Sequence, residues 1–405
     1  MPRPRGTGRN LLDAYRLIPS LRPAWNFVLY HRGQAAARGA AGAEAADARP
    51  GDAVVELSAR ANVRLRRIEV HGDRFDLWQQ ARLPLAAWRD QVDLLHLPAN
   101  TAPAWCPVPY VVTVHDLIPL TVAGEQPEPQ RRAFHRGLQR AVRGAAQIIS
   151  PSHATRAELR RAFDVDPQRI TVIPWAPDYG LTSTVARSRS REVKRVRAAY
   201  GLHESWLLNF SGQSVRKNAR SLVGSFAQLA PGLRHGGQLV VVGCEPAAFR
   251  KDLETYARRL EVQASCRFLP FVPHNDLPGL LCGARGLLMP SLGEGFGLPI
   301  LDAFAAGTPV LTSNLSSMPE VAGEAALYCD PYSTASITDG IVRLLHAATA
   351  TRLVHAGRER VREFTWQRTA ELMCAVYERC VAAMRPVPTR GAARPVRRPR
   401  SLTRV

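Results

Sequence analysis

Short apolar runs that end in turn residues alternate with amphipathic stretches along most of the chain. This alternation is typical of βαβ units, in which helices join parallel strands and pack on both faces of a sheet. The predicted strands fall into two series. The first series covers residues 24–30, 64–70, 93–99, 110–116, 146–152 and 169–175. The second covers residues 205–212, 238–243, 266–272, 286–291 and 309–313.

The two series predict an α/β protein with two Rossmann-like domains, each built on a doubly wound parallel sheet. We expect an N-terminal domain over residues 1–180, a basic linker or exposed helix over 181–200, and a C-terminal domain over 201–384. Residues 385–405 contain seven arginines and no acidic residue, so we expect this tail to be disordered.

Composition excludes several classes of protein. The 405 residues are 46% hydrophobic and 22% charged, which is typical of globular domains with sizeable cores. No apolar run is long enough to span a bilayer, and the first residues lack the apolar stretch of a signal peptide, so we expect a cytoplasmic protein. The seven cysteines form no CxxC pair, which argues against a zinc site or a disulfide framework.

The formal net charge of +20 predicts affinity for anions, without selecting phosphates, nucleic acid or acidic lipid. Only three of the 54 basic residues are lysines, namely Lys194, Lys217 and Lys251. A lysine that persists in a chain using arginine almost everywhere indicates a position where a compact ammonium group is required.

Residues 287–313 are the most informative segment. They predict a strand, a Gly-rich loop, a helix that opens at Pro299 and closes at Gly307, and a second strand. Gly295 and Gly297 allow the backbone to pass close to a ligand, and the free N–H groups at the helix start favour a phosphate.

Two acidic residues belong to this segment, Glu294 at the loop and Asp302, which we expect in the first turn of the helix. Side chains so placed can accept hydrogen bonds from the hydroxyls of one sugar or ribose. The alternative is a helix start whose acids complement the helix dipole. The segment alone leaves both interpretations open.

Residues 209–226 repeat the order of strand, glycine loop and helix. Arg216 and Lys217 lie where the loop after Gly212 turns into the helix, so two cations and the helix dipole converge on one place. A diphosphate would fit there. The alternative is a solvated basic loop.

The predicted sheet of the N-terminal domain also has polar residues at its carboxyl edge. A buried strand ends at His115 and the preceding strand ends near Asn100, at the carboxyl edge where ligands of parallel α/β sheets bind. Gly6 and Gly8 form a turn that opens an amphipathic helix. His115 could equally be a structural histidine, and a GxG by itself is weak evidence. We interpret Asp164 and Asp166, which resemble a DxD metal site, as turn residues.

Together these segments resemble the retaining glycosyltransferases of family four, and in particular bacterial polysaccharide mannosyltransferases. The resemblance covers residues 5–380 and is most specific in the stretch GEGFGLPILDAFAAGTPV. It implies the GT-B fold, in which two Rossmann-like domains enclose an interdomain cleft. The family carries two glutamates eight positions apart, and here the second position is Asp302.

The resemblance also implies residue roles. Arg216 and Lys217 would hold a diphosphate, Glu294 would bond the sugar hydroxyls, Asp302 would bond the ribose, and His115 would face the sugar. The implied catalytic residues are His115, Glu294 and Lys217. The implied donor-binding residues are Gly212, Arg216, Lys217, Gly295, Phe296, Gly297, Leu298 and Asp302. The implied acceptor or phosphate loop contains Gly6, Gly8 and Asn100. No metal or cofactor is implied.

The implied reaction moves a hexose, with mannose favoured, from a nucleoside-diphosphate sugar to a lipid-linked or other glycan acceptor with retention of configuration. GDP-mannose is the favoured donor, and the pathway would build cell-envelope polysaccharide or exopolysaccharide. Such an acceptor places the protein in the cytoplasm, with possible attachment of the basic tail to the anionic inner face of the membrane.

One family element has no counterpart at the start of the chain. The family pattern has an apolar strand before the glycine turn, whereas only MPRPR precedes Gly6 here. The first strand of a doubly wound sheet is central, so we expect the natural start to lie upstream.

Three other functions stay open at this stage. The charge and the arginine tail favour a polyanion-binding protein, although no nucleic-acid reader motif accompanies them, and we expect no specific nucleic acid. Asp302 and the absent strand favour a catalytically inactive GT-B scaffold. A nucleotide-sugar epimerase would share the same architecture.

Overall fold

The computed structural model describes residues 7–32, 57, 59–69, 77–229, 231–234 and 237–384. Its strands form one parallel pair and two larger parallel sheets. The first half of the chain supplies Phe27–Arg32 (β1), Val63–Ile68 (β2), Leu95–Leu97 (β3), Tyr110–Thr113 (β4), Gln147–Ser150 (β5) and Ile170–Val172 (β6). The second half supplies Ser205–Phe210 (β7), Gly237–Val242 (β8), Cys266–Leu269 (β9), Ala284–Met289 (β10), Val310–Ser313 (β11) and Ala326–Cys329 (β12).

The C-terminal sheet has six strands in the order β12-β11-β10-β7-β8-β9, all parallel. Counted from β7 as the first strand, this is the doubly wound Rossmann order 3-2-1-4-5-6. The direction of winding reverses between β7 and β10. Ligands of such sheets bind beyond the carboxyl ends of the strands at this switch point.

The central strands of this sheet are buried on both faces because helices cover both sides. Residues 206–209 of β7 and 286–289 of β10 are buried without alternation. All five strands predicted for this half of the chain are present, and β12 was missed. Its sequence, ALYC, is only four residues long and directly follows the short turn Gly323–Ala325.

The N-terminal domain has a parallel sheet in the order β3-β4-β5-β6 and, beside it, the parallel pair β1-β2. Strand β4 is central and fully buried, since YVVT is apolar apart from Thr113. The carboxyl end of β4 therefore presents the turn that carries His115 to the cleft.

The helices lie on both faces of the sheets. In the N-terminal half they are Thr7–Leu21 (α1), Leu83–Arg89 (α2), Ile118–Thr121 (α3), Glu128–Gly144 (α4) and His153–Phe163 (α5). They continue with Tyr179–Tyr200 (α6), Ala219–Ala227 (α7), Pro231–Arg234 (α8), Ala247–Arg259 (α9) and Leu277–Gly283 (α10). The last five are Leu298–Ala306 (α11), Met318–Ala322 (α12), Thr334–Leu345 (α13), Ala347–Val361 (α14) and Trp366–Met384 (α15).

The segment expected to link the domains is helix α6, which bends at Ser188, where the backbone leaves helical geometry. Its C-terminal half packs on α10: a Cβ at Gly279 would lie 2.7 Å from the Glu192 carbonyl oxygen and from the Val196 side chain. Val196 is fully buried. The arginines of this half do not all point to solvent: Arg189 donates to the carbonyl oxygens of Ala306 and Cys282, and Arg195 donates to that of Asn275. The basic run therefore belongs to an amphipathic helix packed on the C-terminal domain.

The C-terminal helix α15 returns to the N-terminal domain and packs against α1. Tyr377 on α15 and Tyr15 on α1 both lie 2.9 Å from His96 Nδ1, at the first sheet. His96 Nε2 lies 2.8 Å from the Thr113 hydroxyl. Burial lowers the pKa of His96 to about 3, so this buried network joins three elements through a neutral imidazole.

Candidate active site

The two loops at the switch point of the C-terminal sheet lie side by side. The first loop follows β7 and contains the 3-10 turn Val215–Lys217, and the second follows β10 and leads into α11. The backbone N–H of Leu292 donates to the Arg216 carbonyl oxygen at 2.7 Å. The sheet topology therefore brings together the two glycine-loop segments that were predicted to bind a ligand.

The loop after β7 owes its shape to two residues with positive φ. Gly212 has φ +110°, a conformation that side chains rarely adopt. Asn218 has φ +56° and its Nδ2 donates to the carbonyl oxygens of Pro290 and Pro331, at 3.1 and 2.7 Å. Asn218 fixes the distance between the two loops, and its role cannot be predicted from the sequence because its partners are distant along the chain.

Two cations meet one carboxylate between these loops. Lys217 Nζ lies 2.7 Å from Glu294 Oε1, and the Arg216 guanidinium pairs with Glu294 Oε2. The side chains of Lys217 and Glu294 are 11% and 8% exposed. Burial alone would raise the pKa of Glu294, but the charges of Lys217 and Arg216 hold this pKa below its usual range. We call these three residues the charge cluster.

Hydroxyl groups hold the second loop in place. Ser291 donates to Glu294 Oε1 at 2.9 Å, and Ser316 accepts from the Glu294 backbone N–H at 2.9 Å. Ser317 donates to the carbonyl oxygens of Glu294 and Phe296. The predicted donor residue Phe296 is buried and packs edge-on against Phe364. Its side chain therefore supports the loop from the core.

Gly295 is required by the close approach of the N-terminal domain. A Cβ at this position would collide with the carbonyl oxygen of His115. Ser152 and Thr155, at the start of α5, donate to the Gly295 carbonyl oxygen at 2.7 and 3.1 Å. Gly297 precedes Leu298, the first residue of α11, and has φ +103°. The loop glycines therefore serve both the turn and the contact between domains.

His115 faces this loop from the edge of the first sheet. Its Nε2 lies 2.7 Å from the Pro98 carbonyl oxygen, so Nε2 carries the proton and Nδ1 keeps a lone pair. Burial lowers the pKa of His115, and its ring packs beside that of Trp175. A neutral imidazole at this edge can accept a hydrogen bond but brings no charge.

Asn100 supports the His115 turn. Its Oδ1 accepts from the His115 backbone N–H at 2.7 Å, and its Nδ2 donates to the Asp116 carbonyl oxygen at 3.3 Å. Burial raises the pKa of Asp116, while the nearby Arg216 opposes that rise across the cleft. In the structure Asn100 therefore shapes the edge that meets the charge cluster.

Asp302 does not lie in the first helical turn, as we expected. Helix α11 begins at Leu298, which places Asp302 fifth in the helix and in its second turn. Its Oδ1 accepts from the Asp178 backbone N–H at 2.9 Å. Asp178 is the N-cap residue of α6, and its Oδ2 lies 3.1 Å from His274 Nε2. Burial raises the pKa of Asp302 to about 7.

The predicted glycine turn is described only in part. Gly8 lies in the first turn of α1, and Gly6 lies outside the described residues, as do residues 33–50 and the tail 385–405. Within the part of the chain that the structure describes, no three His, Cys, Asp or Glu side chains come together as a metal site. None of the described helices combines the length and apolarity needed to cross a membrane.

A solved structure with the same architecture is that of Anabaena Alr3699/HepE in complex with UDP-glucose. It superposes with a TM-score of 0.69 over 94% of this chain and 97% of that chain, at 18% sequence identity. The two domains and their sheets therefore define a protein of the GT-B fold class.

Sequence comparison narrows this class to a family. Residues 34–178 match Glycosyltransferase Family 4, and residues 194–360 match Glycosyl transferases group 1. The Escherichia coli O-antigen chain mannosyltransferase B is 30% identical over 261 residues, which are 64% of this chain and 67% of that protein. The chain belongs to the family 4, group 1 glycosyltransferases, as its motifs predicted.

A second relative is named for a different acceptor. The D-inositol 3-phosphate glycosyltransferase of Salinispora arenicola is 29% identical over 296 residues. The match covers 69% of this chain and 65% of that protein, so this chain spans slightly less than two thirds of its length.

Proposed function

We propose that this glycosyltransferase moves a hexose from a nucleoside-diphosphate sugar to a lipid-linked or other glycan acceptor, with retention of anomeric configuration. Mannose is the favoured sugar and GDP-mannose the favoured donor, since a relative at 30% identity is named an O-antigen chain mannosyltransferase. The process served would be the synthesis of cell-envelope polysaccharide or exopolysaccharide.

One observation carries the proposal. Arg216 and Lys217 converge on a single point beyond the switch point of the Rossmann sheet, and Glu294 orients both. Two cations and the backbone N–H groups of a 3-10 turn can stabilise the negative charge that develops on a departing diphosphate. Gly212, Gly295 and Gly297 would let the donor approach the protein backbone closely.

The remaining roles follow from the placement of each side chain. Glu294 would accept hydrogen bonds from sugar hydroxyls while it keeps the cations in place. His115 would accept a hydrogen bond at Nδ1 from the sugar on the opposite side of the cleft. Asp302, beside Asp178 and the start of α6, would bind the ribose. Gly8 and Asn100 would support the acceptor side.

The reaction would need no carboxylate nucleophile. The acceptor hydroxyl would attack the anomeric carbon from the face that the diphosphate leaves, and the departing diphosphate would take up the hydroxyl proton. The charge cluster would stabilise the diphosphate, so we propose that catalysis is independent of divalent metal. Transfer that EDTA abolishes and manganese restores would contradict this part of the proposal.

The decisive experiment incubates the pure protein with GDP-mannose, UDP-glucose and related donors together with a lipid-linked glycan acceptor. We expect a glycosylated acceptor and release of the nucleoside diphosphate from one donor. Tight binding of a nucleoside diphosphate without transfer or donor hydrolysis would instead support an inactive GT-B scaffold. Interconversion of the donor sugar without transfer would support an epimerase.

We also propose that the protein works in the cytoplasm and attaches at its periphery to the anionic inner face of the membrane. The support is compositional, since residues 385–405 carry seven arginines and no acidic residue. Truncation after Ala383 should reduce salt-sensitive binding to anionic vesicles without changing the melting temperature. Unchanged vesicle binding would contradict the attachment.

A further inference from the structure

A carboxylate of the N-terminal domain reaches across the cleft to the loop after β7. Glu125 Oε1 accepts from the Ser214 hydroxyl at 2.5 Å, and Glu125 Oε2 accepts from the Arg216 backbone N–H at 3.0 Å. Glu125 and Ser214 are 89 positions apart in the sequence. One acidic side chain of the first domain therefore takes two hydrogen-bond donors of the loop that carries the charge cluster.

The turn before Glu125 aims its carboxylate at this loop. Gly124 has φ +75°, and the Glu125 backbone N–H donates to the Val122 carbonyl oxygen at 3.4 Å. Val122 is buried, and a Cβ at Gly293 would lie 3.1 Å from its side chain. The contact is therefore part of the packing between the domains, since the segment that carries Glu125 lies against the second loop as well.

The donors that Glu125 takes are of the kind that bind phosphate. A hydroxyl and a backbone N–H at a tight turn offer two converging hydrogens, and a carboxylate and a phosphate both present two acceptor oxygens to such a pair. The Glu125 contact and a phosphate at the same two groups therefore exclude each other.

The charges at this loop also indicate that Glu125 and a phosphate exclude each other. The positive charges of Arg216 and Lys217 equal the negative charges of Glu294 and Glu125 in number. A diphosphate added to this arrangement would meet no net positive charge at the loop. If the Glu125 carboxylate leaves, the same place gains one net positive charge and two hydrogen-bond donors.

We propose that Glu125 is an internal competitor of the donor's diphosphate, which must displace it from Ser214 and Arg216 in order to bind. This inference rests on the proposed function of the charge cluster and adds a residue from the opposite domain to it. Glu125 lowers the affinity for the donor, and its displacement couples donor binding to the loosening of a contact between the domains.

The test compares Glu125→Gln with the wild-type protein, using inorganic pyrophosphate as the probe in isothermal titration. Glutamine keeps the size and one acceptor oxygen but removes the charge. We expect pyrophosphate to bind about tenfold more tightly to the variant, which corresponds to about 1.4 kcal/mol. Equal or weaker binding by the variant would overturn the inference.

Glu128→Gln is the matched control. Glu128 lies three positions further on, pairs with Arg131 and Arg132 on the exposed face of α4, and has the same charge. Its variant should bind pyrophosphate like the wild type. A gain in both variants would mean that overall charge, and not the contact with the loop, determines the affinity, and would also overturn the inference.

Steady-state kinetics separates competition from a merely structural role. With a transferred donor sugar, Glu125→Gln should lower the donor KM, because competition is relieved. A lower kcat with a higher KM would identify Glu125 as a residue that only holds the domains together. Absence of transfer in both proteins, with tighter pyrophosphate binding by Glu125→Gln, would refute the proposed function and leave the inference standing.

Discussion

The two carboxylates of the glycine-loop segment lie eight positions apart and have opposite environments. Glu294 is buried against two cations, which hold its pKa below the usual range. Asp302 lies beside the backbone N–H and the carboxylate of Asp178, and loss of solvent raises its pKa to about 7. One acidic motif therefore supplies a permanent anion at one end and, at the other, a carboxyl group that gains a proton near neutral pH.

The comparison shows that the spacing of two acidic residues in the sequence does not determine their charge states. Removal from water alone would raise the pKa of both carboxyl groups. The neighbours decide the outcome, and these neighbours come from different parts of the chain. The loop after β7 brings cations to Glu294, whereas the start of α6 brings Asp178 to Asp302.

The largest effect on catalysis should come from removing Lys217, one of the two cations that pair with Glu294. We expect Lys217→Ala to lower kcat/KM for the donor about 1000-fold, because one of two charges facing the diphosphate is lost. Lys217→Arg should also be impaired, since a planar guanidinium cannot replace a compact ammonium that is 11% exposed. Lys251→Ala, on the exposed face of α9, should behave like the wild type. Near-normal turnover of Lys217→Ala would remove this residue from the site.

Neutralising the anion of the cluster should have the next largest effect. Glu294→Gln should lower transfer about 100-fold and the free energy of unfolding by about 3 kcal/mol, because Arg216 and Lys217 would lose the buried carboxylate that pairs directly with both side chains. Pyrophosphate should restore part of this lost stability. Chemical unfolding with and without pyrophosphate measures both effects, and Glu324→Gln at an exposed position is the control. Unchanged stability of Glu294→Gln would contradict the electrostatic account.

Substitution of Asp302 should affect donor binding more than turnover. We expect Asp302→Ala to raise the donor KM about fivefold with little change in kcat, because a ribose contact is equally strong in the ground state and the transition state. Asp302→Glu, which restores the residue of the family pattern, should be tolerated. Equal donor affinity of the wild type and Asp302→Ala would show that the contact is absent.

The smallest expected effect is on the pH dependence of stability, which should distinguish Asp302 from Glu294. A raised folded-state pKa means that Asp302 holds a proton between about pH 4 and pH 7 that the unfolded chain releases. Its contribution to stability is therefore present at low pH and is lost as the pH rises to about 7. Relative to Asp302→Asn, the wild type should lose up to about 1.4 kcal/mol per pH unit in this window. Parallel urea-unfolding results for the two proteins from pH 4 to 8 would refute the raised pKa.

The sequence predicted the sheets well because buried parallel strands are continuous apolar runs. It also predicted the helix end at Gly307, where φ is +68° and glycine is favoured. The position of Asp302 was wrong for a local reason, since α11 begins at Leu298, one residue before Pro299. A shift of one residue at a helix start moves a side chain out of the first turn.

Other parts of the site could not be predicted because they depend on contacts between distant segments. Glu125, Asp178 and Asn218 all act through partners more than 70 positions away. Their local sequence is that of ordinary turns and helix starts. Only the closure of the two domains shows that Glu125 meets the loop of Arg216.

The central claim is that the charge cluster binds the diphosphate of a nucleotide sugar, and direct binding tests it best. Isothermal titration of GDP and UDP, in EDTA, should be carried out on the wild type and Lys217→Ala, with Lys251→Ala as the control. The account predicts that at least one nucleotide binds the wild type and the control alike, and binds Lys217→Ala at least tenfold more weakly. Equal affinity of the wild type and Lys217→Ala for every nucleotide would contradict it.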